Sequence, residues 1–135
     1  MAGGYGKRLR PLTETIPKPL LPVAGKGIIE WQIEWLKHYG IDEIIVCAGY
    51  LKEKIIEHIG NGSRYGVSIG YVVEEEPLGT GGALKNAELL LRNEEKFIVL
   101  NGDVLTDLNP MKLVEDLDEE CVGAMALVHL PSPFG

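Results

Sequence analysis

From Ile28 onward the apolar residues keep switching period, and that switching constrains the fold more than any other feature of this chain. Ile29, Ile33 and Leu36 recur at helical spacing, with Trp31 and Trp35 as a second i, i+4 pair and Gly40 as a stop signal. Glu43 to Ala48 (EIIVCA) is a short β-branched run closed by Gly49, which predicts a buried strand. Leu51, Ile55 and Ile59 return to helical spacing and end at Gly60. Val67, Ile69, Tyr71 and Val73 alternate, as in a strand with one buried face. Glu74 to Gly82 reads as a loop, Ala83 to Arg92 as a helix with Leu84, Ala87 and Leu91 on one face, and Phe97 to Leu100 as a buried strand. Asn109-Pro110 predicts a helix start, with Asn as cap and Pro at the first position. Cys121 to Leu130 reads as a last, long apolar strand, before Pro131, Pro133 and Gly135. Helices alternating with apolar strands predict a mostly parallel sheet covered by helices on both faces, with ligands in the loops after the strands.

The first 27 residues break this rhythm. Gly3, Gly4, Gly6, Pro11, Pro17, Pro19, Pro22, Gly25 and Gly27 forbid a regular helix there and predict a loop. So long a loop in a chain of 135 residues, the length of one domain, is functional or mobile. A hydrophobic fraction of 45% excludes disorder, and no apolar run is long enough to span a membrane. The start MAGGYGKRL has no apolar signal region, so a cytoplasmic protein is expected. A net charge of −7 argues against a nucleic acid polymer as partner, yet leaves room for one small anion on a local basic loop. Two distant cysteines, Cys47 and Cys121, read as buried thiols, with neither disulfide nor zinc spacing.

Four segments carry chemistry. Ala2 to Thr13 (AGGYGKRLRPLT) combines three glycines, which let backbone N–H groups approach an anion, with Lys7, Arg8 and Arg10. It lacks the Ser or Thr of a Walker loop and the third glycine of a dinucleotide fingerprint, so as a bare loop it is either a phosphate cradle or a set of turns. In Ile16 to Val23 (IPKPLLPV), Lys18 stands between two prolines, stiffly aimed at a phosphate or simply solvated. Glu76 to Gly82 (EPLGTGG) lies between a strand and a helix. Its glycines suit contact with a flat ring, or it is a flexible connection with Thr80 as cap. Asp103, in Asn101-Gly102-Asp103 after a strand, is placed as a magnesium ligand, since Mg²⁺ takes one or two carboxylates plus substrate phosphates. Asp107 reads as a turn residue. His38, His58 and His129 have no catalytic partner nearby and read as structural. Glu74 and Glu75 read as solvated, and Glu76 as the border of its loop.

Taken in order, AGGYGKRLRPLT, IPKPLLPV, EPLGTGGAL and VLNGD resemble the sugar-1-phosphate nucleotidyltransferases along essentially the whole chain, most of all their mannose-1-phosphate guanylyltransferase branch. The resemblance implies a Rossmann-like α/β three-layer sandwich with a mostly parallel sheet, incomplete here, forming one domain over residues 1–135. It implies transfer of a nucleotidyl group from a nucleoside triphosphate, GTP above all, to a sugar 1-phosphate, mannose 1-phosphate above all, with pyrophosphate leaving and Mg²⁺ as cofactor. By similarity, Arg8, Lys18 and Asp103 are catalytic, with Asp103 the metal ligand. Ala2, Gly3, Gly4, Gly6, Lys7, Glu76, Pro77, Gly79, Thr80, Gly81 and Gly82 bind the nucleotide, and Gly135 touches the sugar. Lys7 stands at a position often Thr in relatives, and Gly27 at one usually Pro. The family's apolar strand before the glycine loop, its Glu-Lys-Pro sugar motif and its second metal Asp have no counterpart in this sequence. Two expectations follow: an enzyme forming a nucleotide-sugar, or a catalytically incomplete nucleotide-binding or regulatory module. A sheet lacking a strand would also expose unpaired backbone, so self-association into a homo-oligomer is expected.

Overall fold

Proline density at the front of the chain excludes long elements but not short ones. In the computed structural model, which describes residues 1–118 and 120–129, Lys7–Leu9, Leu12–Glu14 and Lys18–Leu20 are single 3-10 turns. A small antiparallel hairpin follows, β1 (Pro22–Val23) with β2 (Lys26–Gly27). Helix α1 (Ile28–His38) starts where Glu30 accepts a hydrogen bond from the Gly27 N–H at 2.8 Å, meeting one of the orphan donors of a helix start. It buries Ile28, Ile29, Ile33 and Leu36, the face its spacing predicts.

Next come β3 (Glu43–Ala48), α2 (Lys52–Ile59) and β4 (Ser68–Val73). β3 and β4 pair in parallel, in register from Glu43 opposite Ser68 to Ala48 opposite Val73. On the other side of β3, Ala2 forms a parallel bridge to Ala48, with its N–H donating to the Cys47 carbonyl at 2.7 Å. Met1 reaches further across: its amine donates to the Leu100 carbonyl at 2.9 Å, and the Gly102 N–H donates to its carbonyl at 2.7 Å. The chain start thus lies between the end of β3 and residues 100–102, where the strand ends converge.

Strand alternation divides the side chains between two cores. Val46, Ala48 and Ile69 pack with Ile29 and Ile33 of α1 and Ile55 and Ile59 of α2. Ile45, Cys47 and Val72 pack on the opposite face with Ala83 and Ala87. Ala83 lies within α3 (Gly79–Asn86), and Ala87 joins it to α4 (Glu88–Leu91). Helices therefore cover both faces of a parallel sheet, the Rossmann-like three-layer arrangement. Ile33, Ile55 and Ile59 are fully buried, each worth about 1.5–3 kcal/mol relative to exposure.

Several expectations need correction. The helix placed over Ala83 to Arg92 begins at Gly79 inside the glycine segment and is broken at Ala87, and Thr80 is not its cap. Phe97 to Leu100 is not a buried strand: no strand pairs with it among the described residues, and Phe97 and Val99 are half exposed. Residues 121–129 are likewise not a strand. Val122, Met125, Leu127 and Val128 are exposed because no sheet edge among the described residues receives them. Cys121 is accordingly exposed rather than buried, and His129 lies outside any strand. Cys47 is buried, and burial raises its thiol pKa, which suits a packed, unreactive side chain. Asn109 does cap: its side-chain oxygen accepts from the Met111 N–H at 3.0 Å, where α5 (Met111–Glu115) begins. Leu130, Pro131, Pro133 and Gly135 lie outside the described residues. No described helix is long and apolar enough to cross a membrane.

Candidate active site

An open cavity of about 550 Å³ lies beyond the ends of β3 and β4, where ligands of parallel α/β sheets bind. Its walls come from the glycine loop, the Lys18 turn, the start of α3 and the Asn101-Gly102-Asp103 segment. Parts of the chain about a hundred residues apart thus meet at one place.

The glycine loop is shaped by contacts that other residues would prevent. Gly6 has φ +60°, and a Cβ there would lie 2.8 Å from Thr13 Cγ2. Thr13 itself is only 1% exposed, and its hydroxyl donates to the Gly6 carbonyl at 2.9 Å, so it fixes the loop from beneath. A Cβ on Gly3 would lie 2.9 Å from Glu74 Oε2, so glycine there lets backbone and carboxylate sit side by side. Lys7 and Arg8 follow on their 3-10 turn and line the cavity, whereas Arg10 does not. Lys7 sits over the Tyr5 ring, 5.6 Å from its centroid.

Lys18 and Asp103, far apart in the chain, form an ion pair on the cavity wall. A buried glutamine holds the segment that carries Asp103. Gln32 Nε2, from α1, donates to the Asn101 carbonyl at 2.8 Å and the Val104 carbonyl at 2.7 Å. These bonds clamp the backbone on both sides of Asp103. Sequence reading missed Gln32 and Thr13. Gln32 sits one residue before Ile33 on the buried stripe of α1, and a polar residue in that place is the signal that marks it.

Of the expected residues, Ala2, Gly3, Gly4, Gly6, Lys7, Arg8, Lys18, Pro77, Gly79, Thr80 and Asp103 line the cavity. Glu76, Gly81 and Gly82 do not, and Glu76 is exposed. Gly135 lies outside the described residues. Within the acidic run Glu75 is exposed as expected, but Glu74, also read as solvated, is 7% exposed and lines the cavity. Parity explains this. Strand pairing runs on to the Glu74 N–H, which donates to the Ala48 carbonyl at 2.8 Å, so Glu74 follows Val72 onto the α3 face.

His58 is structural, as expected. Its Nε2 lies 3.2 Å from Glu30, which also accepts from the Tyr65 hydroxyl at 2.8 Å. Burial alone would raise the Glu30 pKa, but bonds from the Gly27 N–H, Tyr65 and His58 together hold it below its usual range. No group of three or more His, Cys, Asp or Glu among the described residues could hold a metal ion. Asp103 does offer a hard oxygen donor on the cavity wall, which fits Mg²⁺ if a ligand's phosphate oxygens complete the set.

Lys7, Arg8 and Lys18 set positive charge beside close-approach glycines at the ends of the parallel strands of an α/β fold, an arrangement that suits a compact anion. The sequence profile of the nucleotidyl transferase family matches residues 1–132, and the chain belongs to that family. The mannose-1-phosphate guanyltransferase of Candida albicans is 41% identical over 141 residues, spanning 100% of this chain and 39% of that protein. The N-acetylmuramate alpha-1-phosphate uridylyltransferase of Neisseria meningitidis serogroup B is 46% identical over 112 residues, 81% of this chain and 47% of that protein. Among solved structures, HddC from Yersinia pseudotuberculosis complexed with GMP-PN superposes with a TM-score of 0.75. It is 37% identical, over 84% of this chain and 50% of that one. The chain thus spans between about two fifths and half of the length of these relatives.

Proposed function

We propose that this chain is the nucleotide-binding part of a sugar-1-phosphate nucleotidyltransferase, with GTP as donor and mannose 1-phosphate as acceptor. The observation that carries the reading is the cavity itself: the glycine loop, Lys18 and Asp103 converge on it from opposite ends of the chain. The base and sugar are those in the names of the full-span fungal relatives.

In the reaction, a phosphate oxygen of the sugar 1-phosphate attacks the α-phosphorus of the triphosphate. The new P–O bond forms as the bond to the bridging oxygen breaks, and that oxygen leaves with pyrophosphate. Such transfers depend on positioning and on neutralising phosphoryl charge. The backbone N–H groups of Gly3, Gly4 and Gly6 cradle the nucleotide, while Lys7 and Arg8 face the β- and γ-phosphates. Lys18 lies on the α-phosphate and the incoming sugar phosphate, held in place by its ion pair. Asp103 would hold Mg²⁺, which supplies further charge neutralisation on the phosphoryl oxygens when bound. Pro77, Gly79 and Thr80 wall the end of the cavity that receives the base. The reaction belongs in the cytoplasm, where soluble nucleotides are found.

Pyrophosphate release with Mg²⁺, GTP and mannose 1-phosphate, then with other pairs, tests this reading. Turnover with GTP and mannose 1-phosphate supports it, turnover only with another pair keeps the reaction and corrects the substrates, and none with every pair rejects catalysis by the isolated chain. A second reading, a nucleotide-binding module without turnover, is not favoured by the relatives, which carry the names of transferases. Calorimetry separates the two: GTP binding without pyrophosphate release selects the module. The exposed Phe97, Val99, Met125 and Leu127 support self-association under either reading.

A further inference from the structure

The glycine loop leaves the sheet at Gly3, and its cationic end has to be held from outside. Tyr50, just past the end of β3, touches the loop at three points. Its N–H donates to the Gly3 carbonyl at 3.4 Å, and its hydroxyl donates to the Glu14 carbonyl at 3.3 Å. Between those anchors its ring packs on Tyr5, with centroids 5.1 Å apart and planes at 47°, inside the range of favourable aromatic pairs. In the first turn of α2, Lys54 adds a bond to the Thr15 carbonyl. The Lys7 ammonium lies over the Tyr5 ring, 5.6 Å from its centroid, within cation–π range. Tyr50, Tyr5 and Lys7 thus form a continuous line of contacts from the end of β3 to the cavity, which Tyr5 and Lys7 both line.

We propose that Tyr5 and Tyr50 are positioning residues that hold the Lys7 ammonium for the terminal phosphates of a nucleoside triphosphate. The inference rests on the nucleotide reading above and deepens it. Among the described residues Lys7 makes no ion pair, whereas Lys18 is paired with Asp103. A carboxylate partner would cancel the Lys7 charge. A ring face attracts the ammonium yet leaves its net charge and its N–H donors for an anion. Lysine also has much rotamer freedom to lose when it is fixed. The ring removes part of that freedom in advance, so less is lost when phosphate binds. Tyr5 is itself 42% exposed, and Tyr50 supplies the contact that keeps its ring in place.

The test is equilibrium binding of GMP and GTP, with Mg²⁺, to the wild-type chain and to Tyr5→Leu, Tyr5→Phe, Tyr50→Leu, Lys7→Met and the double variant Tyr5→Leu with Lys7→Met. An exposed cation–π contact corresponds to about a two- to fivefold effect, so Tyr5→Leu should weaken GTP binding by about that factor. Tyr50→Leu should weaken it at least as much. GMP has no terminal phosphates, so Tyr5→Leu and Lys7→Met should bind it as the wild type does. Tyr5→Phe keeps a ring face and should restore wild-type affinity for GTP. With Lys7→Met already present, Tyr5→Leu should cost nothing further, because the cation it positions is gone. Circular dichroism checks folding. Tyr5 and Lys7 are both exposed, so their variants carry the test even if Tyr50→Leu does not fold. Equal losses for GMP and GTP in Tyr5→Leu, additive losses in the double variant, no recovery in Tyr5→Phe, or tighter GTP binding in Tyr5→Leu each refute the positioning role while the nucleotide reading survives. If the wild type binds neither nucleotide, both fall.

Discussion

Gln32 offers the sharpest test of how the fold positions the site. Its amide nitrogen makes two short bonds, 2.8 and 2.7 Å, to carbonyls on either side of Asp103. A neutral intramolecular hydrogen bond contributes about 0.5–1.5 kcal/mol net, so Gln32→Met, similar in shape, removes about 1–3 kcal/mol. The lower half of that range is expected, because Asn101 and Val104 are exposed and water can take over their carbonyls. Gln32→Glu is the stricter variant. Its ionised carboxylate would face two carbonyl oxygens and should cost more than Gln32→Met at neutral pH. Protonation turns it into a donor, so its folded-state pKa lies above the unfolded value. The sign follows: the penalty is present above that raised pKa and is relieved as pH falls through it. Urea unfolding of both variants between pH 4 and 8 measures this, with nucleotide titrations at pH 7 alongside. Gln32→Glu should gain stability relative to Gln32→Met on acidification, and both should bind Mg²⁺-nucleotide less tightly. Equal pH dependence of the two variants, or unchanged stability and affinity in Gln32→Met, refutes the clamp.

Other outcomes follow from the same geometry. Thr13→Val keeps the shape but loses the bond to the Gly6 carbonyl, and denaturant unfolding should register a loss of about 0.5–1.5 kcal/mol. Gly6→Ala should cost about 1–2 kcal/mol from the left-handed backbone, and more from the contact with Thr13, as read by thermal melting. The depressed pKa of Glu30 contributes stability that is full above the unfolded carboxylate value and is lost as pH falls through the folded value. Stability of Glu30→Gln followed down the pH scale should therefore lack that acid-side decline. Sedimentation at working concentration should find oligomers, and a monodisperse monomer would count against the role given to the exposed apolar residues.

The legible parts of the fold were those encoded locally. The isoleucines of α1, α2 and β3 mark both period and boundary, and the structure places β3 at the same residues as the sequence, Glu43–Ala48. What escaped depends on distant partners. Phe97 to Leu100 and residues 121–129 carry strand-forming residues, but a strand exists only where another backbone pairs with it, and propensity does not encode that partner. The glycine segment before Ala83 reads as a loop by composition, yet packing of Ala83 and Ala87 against Cys47 draws the helix back to Gly79. In the site, Lys18, Arg8 and the glycines were visible as motif residues. Gln32 and Thr13 were not, because they act from beneath, through one hydrogen bond from Thr13 and two from Gln32 to backbone carbonyls. Glu74 was hidden by its neighbours Glu75 and Glu76, and the two-residue parity from Val72 would have separated it from them.

The most direct test of the central claim is calorimetric titration of the chain with GTP and Mg²⁺, repeated for Lys18→Ala and Asp103→Ala. The account predicts one saturable site in the wild type, affinity weakened at least tenfold by Lys18→Ala, and a reduced effect of Mg²⁺ in Asp103→Ala. Absence of nucleotide binding to the folded wild type, or binding that neither substitution alters, would contradict it.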